Sequence, residues 1–152
     1  MKIVINNCFG GFTLSPLAVQ KWATRKGKEC YFFKRKYDGV CAKTVPCALE
    51  EAEQEMFVSA YTVPDPEAYR LNERGEDGLF KDANQRAKEI SLYYGDIPRN
   101  DADLVAVVEE LGKRASGKCA DLKVVEIPDG VEWEIKEYDG NEHVAEVHRT
   151  WS

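Results

Sequence analysis

Residues Cys119–Trp151 read CADLKVVEIPDGVEWEIKEYDGNEHVAEVHRTW. Three strand-like runs, Leu122–Ile127, Val131–Tyr138 and Glu142–Trp151, are separated by Asp129-Gly130 and Asp139-Gly140. Asp-Gly between alternating apolar residues is a strong hairpin signal, because both turn residues tolerate positive φ. In the middle run Val131, Trp133 and Ile135 alternate with Glu132, Glu134 and Lys136. One face is therefore expected to be buried and the other wet. The stretch predicts a closing antiparallel sheet.

Working outward, Lys2–Asn6 (KIVIN) reads as a first strand, broken by Gly10-Gly11. Ser15 and Pro16 stand as N-cap and first residue of a helix, with Leu14 and Val19 placed as a hydrophobic staple. Glu29–Lys36 is a strand, Asp38-Gly39 a turn, and Val40–Val45 a returning strand expected to stop at Pro46. Met56–Val63 is rich in aromatic and β-branched residues and reads as a further strand. Residues 64–95 read as an insertion, with a helix suggested by Phe80, Ala83, Ala87 and Ile90. A second main helix is expected from about Asp103 to Ala115, capped by Asp101, with Leu104, Val107, Val108 and Leu111 on one stripe. The expected fold is α+β: one domain over residues 1–152, with an antiparallel sheet of about six strands packed around two main helices.

The chain has 152 residues, 43% hydrophobic and 32% charged, the composition of a globular protein with a core of its own. No apolar run approaches the roughly 18 residues that span a bilayer, and MKIVINNCFGG is too short and polar for a signal peptide. A cytoplasmic protein without a membrane partner is expected. The net charge of −6 opposes general nucleic-acid binding. Against it runs a local basic segment, Lys21, Arg25, Lys26, Lys28, Lys34, Arg35 and Lys36, readable as a surface for a small anion or as a solvated face. The five cysteines are odd in number and lack C-x-x-C spacing, so reduced thiols are expected, with neither a zinc site nor any other cofactor.

Two constellations carry possible chemistry. Asn6-Asn7-Cys8-Phe9-Gly10-Gly11-Phe12 joins a strand to a capped helix, where glycines permit close backbone approach and the helix N-terminus favours anions. A tight strand-to-helix turn explains the same glycines. The other is basic and aromatic: Arg149 and Trp151 near the C-terminal end, and Arg99 just after Tyr93-Tyr94. Arginine takes phosphate through a bidentate fork, and aromatic rings stack on bases. Packing of Trp151 and an ion pair at Arg149 is the plainer account. His143 and His148 do not form a pair of His-x-Thr motifs, and five residues apart on a strand they face opposite ways.

KIVINNCFGGF (2–12), LSPLAVQKW (14–22), RNDADLV (99–105), VEIPDGVEWEIKEYDG (125–140) and HRTW (148–151) together resemble a family of small phage and prophage proteins, the first type of Thoeris anti-defence protein. The resemblance covers about the first 60 and the last 55 residues, leaving 64–95 as a lineage-specific insertion. It implies a homo-oligomeric sponge that binds and holds a cyclic ADP-ribose isomer, such as glycocyclic ADP-ribose, without cleaving it. Such a ligand carries a diphosphate and an adenine. Under that reading Arg99 and Arg149 take the phosphates. Tyr94, Trp151 or Phe9 stacks on the base, and Asn6 or Asn7 reads its edge. No residue is assigned a catalytic role. These residues are chosen by their chemistry.

Two other classes stay open from sequence. One is a hydrolase or phosphodiesterase of cyclic nucleotides, with His148 as its acid or base. The other is an inhibitor that binds a host defence protein through its acidic surface.

Overall fold

The computed structural model describes residues 1–37, 39, 42–71 and 87–147. The fold is α+β, with all strand pairs antiparallel. The chain divides into two compact units, Met1–Trp22 with Tyr94–Ser152, and Ala23–Tyr93.

In the first unit, β1 (Lys2–Asn6) pairs with β5 (Leu122–Glu126), Val4 opposite Val124 and Asn6 opposite Leu122. Ile3, Val4, Ile5 and Asn6 are all buried, so β1 is covered on both faces. Helix α1 (Pro16–Arg25) starts as its sequence dictates: the Ser15 hydroxyl accepts the Ala18 N–H at 3.1 Å and donates to the Arg114 carbonyl at 2.7 Å. Leu14 and Val19, the staple pair, are both buried. Helix α4 (Ala102–Leu111) is capped by Asp101, whose carboxylate accepts the Leu104 N–H at 2.9 Å and the Trp22 indole N–H at 3.1 Å. Of the predicted stripe, Leu104, Val107 and Val108 are buried and Leu111 is half-buried. Burying such side chains stabilises by about 1.5–3 kcal/mol each. The α-helix ends earlier than the sequence predicts. Gly112 takes φ 55° and the chain continues as a 3-10 turn through Ala115, rather than as α-helix to that residue.

The closing hairpin is β6 (Trp133–Tyr138) with β7 (Asn141–Glu146), turned at Asp139-Gly140 with positive φ at both residues. The run Leu122–Ile127 does not join it. The sequence predicts a second hairpin turn at Asp129-Gly130, but β5 pairs with β1 from the far end of the chain. The physical reason is the partner: Ile3-Val4-Ile5 is an uninterrupted apolar run, and a turn signal fixes only a local reversal.

In the second unit, β3 (Ala42–Cys47), β2 (Tyr31–Tyr37) and β4 (Val58–Tyr61) form a sheet in that order. Pro46 does not stop β3; it sits opposite Phe33. Because β3 is paired on one side only, its proline can lie without breaking a ladder hydrogen bond. Phe32 and Phe33 are buried, and Phe33 meets Tyr61 edge-on with centroids 5.5 Å apart. Short helices follow at α2 (Leu49–Ala52) and α3 (Pro66–Leu71), and 87–90 are helical. Ile90 and Leu92 are buried. Asp38, Phe80 and Ala83 lie outside the described residues. Among the described residues the strands are thus shared among three sheets rather than gathered in one.

Among the described residues no helix is long and apolar enough to cross a membrane.

Candidate functional site

The end of β1 places Asn6 inside the first unit, with no exposed surface. A buried carboxamide must be satisfied on both sides. The Nδ2 group donates to the Cys8 carbonyl at 2.8 Å and to the Gly140 carbonyl at 2.7 Å. Its Oδ1 accepts the Asp121 N–H at 2.8 Å and lies 3.3 Å from the Cys8 thiol. The main-chain N–H of Asn6 donates to Glu142 Oε2 at 2.8 Å. One side chain therefore ties the β1–α1 loop, the start of β5 and the β6–β7 turn together. A ligand reaches the Asn6 carboxamide only by displacing one of these partners.

Glu142, at the start of β7, is 8% exposed. Arg99 grips it with both terminal nitrogens, Nη1 to Oε2 and Nη2 to Oε1, each at 2.9 Å. The Arg99 carbonyl also accepts the Val4 N–H at 2.8 Å, so the turn before α4 is fastened to β1 by main chain and side chain. The guanidinium carbon lies 3.3 Å from the centroid of the Phe12 ring, a stacked cation–π contact. Phe12 in turn meets Tyr94, with centroids 6.3 Å apart and planes tilted by 56°. A continuous series of contacts thus runs Tyr94, Phe12, Arg99, Glu142, Asn6.

The loop between β1 and α1 is held by close backbone approach. A Cβ on Gly10 would stand 1.5 Å from the Cys119 carbonyl oxygen. One on Gly140 would stand 2.6 Å from the Gly11 nitrogen, and Gly140 already has φ +85°. Only glycine fits either place. Held this way, the loop presents Asn7 and Phe9 to solvent, Phe9 with 66% of its surface exposed. The Asn7 N–H donates to the Asp121 carbonyl at 2.8 Å, extending the β1–β5 ladder by one residue.

Of the residues selected from sequence, Asn6, Arg99 and Tyr94 are brought into one network, and Asn7 and Phe9 lie on the adjoining loop. Arg149 and Trp151 lie outside the described residues, as does His148. Two members of the network were not anticipated. Phe12 was read only as the end of a glycine loop. Glu142 was read only as a strand start, although it shares the half-buried face of β7 with Val144, where an acid calls for a partner.

The basic segment is partly spoken for. Lys21 pairs with Glu110, and Lys34 with Glu51 at 2.9 Å and Glu55 at 3.4 Å. Burial pushes the Cys30 thiol up to about 11, and burial likewise raises Cys47. Among the described residues no group of three His, Cys, Asp or Glu side chains is arranged to hold a metal. A shallow apolar hollow of about 180 Å³ lies against Trp133, between Ile127, Val131 and Val144. It is smaller than the roughly 300–1,000 Å³ typical of small-molecule pockets.

Comparison with protein-family models, curated proteins and solved structures finds no match to the chain.

Proposed function

We propose that this chain is a phage anti-defence protein. It binds a cyclic ADP-ribose-type signal, such as glycocyclic ADP-ribose, in the host cytoplasm and holds it uncleaved, blocking TIR-based Thoeris immunity. The sequence resemblance supplies the ligand class. The observation that supports a ligand site in this part of the fold is the Tyr94–Phe12–Arg99 array beside a glycine loop that holds Phe9 out to solvent. Flat rings near a guanidinium suit a base linked to a diphosphate.

The parts fall into two groups under this reading. Asn6, Arg99 and Glu142 hold the site's shape, since their polar groups are engaged with one another and with the main chain. A diphosphate near Arg99 would meet the Glu142 carboxylate as well, so charge compensation falls mainly to Arg149. Asn7, Phe9, Tyr94 and Trp151 supply stacking and edge contacts. Sites completed between copies of a homo-oligomer would exclude more water than one chain alone.

The test is equilibrium dialysis against a panel of cyclic ADP-ribose isomers and cyclic oligonucleotides. The expected result is saturable retention of one isomer class, weakened about tenfold or more by Phe9→Ala. Retention of nothing in the panel, with the protein folded, would remove the nucleotide reading and favour a protein partner.

A further inference from the structure

Cys8 and Cys119 are 111 residues apart in sequence and adjacent in the fold. Cys8 Sγ lies 3.3 Å from the Cys119 carbonyl oxygen and 3.3 Å from Asn6 Oδ1, so its single S–H is shared between two acceptors. The loop that carries Cys8 is pressed onto Cys119. A Cβ at Gly10 would stand 1.5 Å from the Cys119 oxygen and 2.9 Å from its Cβ. Both thiols are free; Cys8 is half-buried and Cys119 exposed.

We infer that Cys8 and Cys119 are a dithiol pair that closes to an intramolecular disulfide when the protein meets a peroxide-class oxidant. Disulfides need Cα atoms within roughly 7 Å of one another. Cys8 sulfur already rests 3.3 Å from the Cys119 carbonyl oxygen, and the bridge requires the exposed Cys119 side chain to turn toward it. The chemistry balances in two steps. The Cys119 thiolate attacks a peroxide oxygen, the O–O bond breaks, and hydroxide leaves to become water, giving a sulfenic acid. The Cys8 thiolate then attacks that sulfur, the S–O bond breaks, hydroxide leaves, and a proton makes the second water. Two electrons pass from the sulfurs to the peroxide.

The other described cysteines are poorer candidates. Cys30 and Cys47 are held protonated to higher pH by burial, and the thiolate is the reactive form. In a reducing compartment the pair rests as thiols, so a bridge there is a response to oxidant rather than a structural staple. Once formed, it fastens the segment bearing Asn7 and Phe9 to the turn before β5. The bridge does not depend on the ligand reading.

The experiment treats the reduced, full chain with hydrogen peroxide, caps residual thiols with N-ethylmaleimide, and maps peptides without reduction. The expected product is a Cys8–Cys119 linked peptide within one chain, with no disulfide between chains, reversed by dithiothreitol, and with slowed amide exchange at residues 9–11. Cys119→Ser should abolish that linkage. Cys8 and Cys119 both still alkylatable after peroxide treatment would overturn the inference. So would a Cys119–Cys119 dimer, or Cys119 carried on to sulfinic acid with Cys8 still a thiol.

Discussion

Arg99 and Glu142 form a two-pronged ion pair, both contacts 2.9 Å, and the same carboxylate accepts the main-chain N–H of Asn6. The pair therefore couples the turn before α4, the closing hairpin and the last residue of β1. Glu142 is 8% exposed and the Arg99 side chain 21%, so solvent screens the contact only in part. Removing Glu142 leaves a part-buried guanidinium without its ion pair and the buried Asn6 N–H without its acceptor. Glu142→Ala is expected to cost about 3 kcal/mol. Arg99→Lys should cost less, since it keeps the charge and loses the fork and the stack on Phe12. Urea unfolding of Arg99→Ala, Glu142→Ala and the double Arg99→Ala/Glu142→Ala variant, with Arg99→Lys beside them, measures this. A coupling near zero would contradict the assignment.

Asn6 is expected to be as sensitive as a core residue. Asn6→Ala removes the side chain that pairs with the Gly140 and Cys8 carbonyls and the Asp121 N–H, breaking three part-buried hydrogen bonds at a cost of about 3 kcal/mol. Asn6→Asp should be worse at neutral pH, because it sets carboxylate oxygen against two carbonyl oxygens. Thermal melts of the two variants give the order directly.

Two glycines of like φ separate conformational cost from close approach. Gly130 has φ +80° with nothing near its missing Cβ, whereas Gly140 has φ +85° and would meet the Gly11 nitrogen at 2.6 Å. Gly130→Ala is expected to cost about 1 kcal/mol, the penalty of the left-handed conformation alone. Gly140→Ala should cost several times that, measured by equilibrium unfolding, and should also perturb amide shifts in residues 9–11.

Alkaline pH should weaken the fold partly through Cys30, raised by burial from 9.0 to about 11. The folded state holds this proton more tightly than the unfolded chain does. Its contribution is thus fully present below pH 9.0 and is lost as pH rises toward about 11. Lys2, Tyr31 and Lys34, raised chiefly by hydrogen bonds to Glu109, Glu29 and Glu51, act in the same direction. The check is therefore the difference between Cys30→Ala and the parent chain, whose unfolding free energies should converge across that range.

The helix starts were legible because they are local: Ser15 and Asp101 are caps that accept N–H groups three residues on, those of Ala18 and Leu104. The hairpin at Asp139-Gly140 was legible for the same reason. The pairing of β5 with β1 was not, because nothing near Leu122 in sequence names a partner about 120 residues back. The early end of α4 turns on Gly112, whose φ of 55° ends the α-helix ahead of the expected Ala115. In the candidate site, residue types pointed to Arg99, Asn6 and Tyr94 as groups for a ligand. The acid that engages Arg99 and the ring beneath it come from different parts of the chain, and only folding brings Glu142 and Phe12 there.

The most direct measurement of the central claim is recovery of the bound ligand. Excess protein is incubated with the cyclic ADP-ribose panel, separated with whatever it holds, heat-denatured, and the released material analysed. A sponge predicts that one isomer vanishes from solution in proportion to protein and returns intact. Its return as a linear or smaller product, formed in excess over protein, would contradict sequestration and make the chain an enzyme.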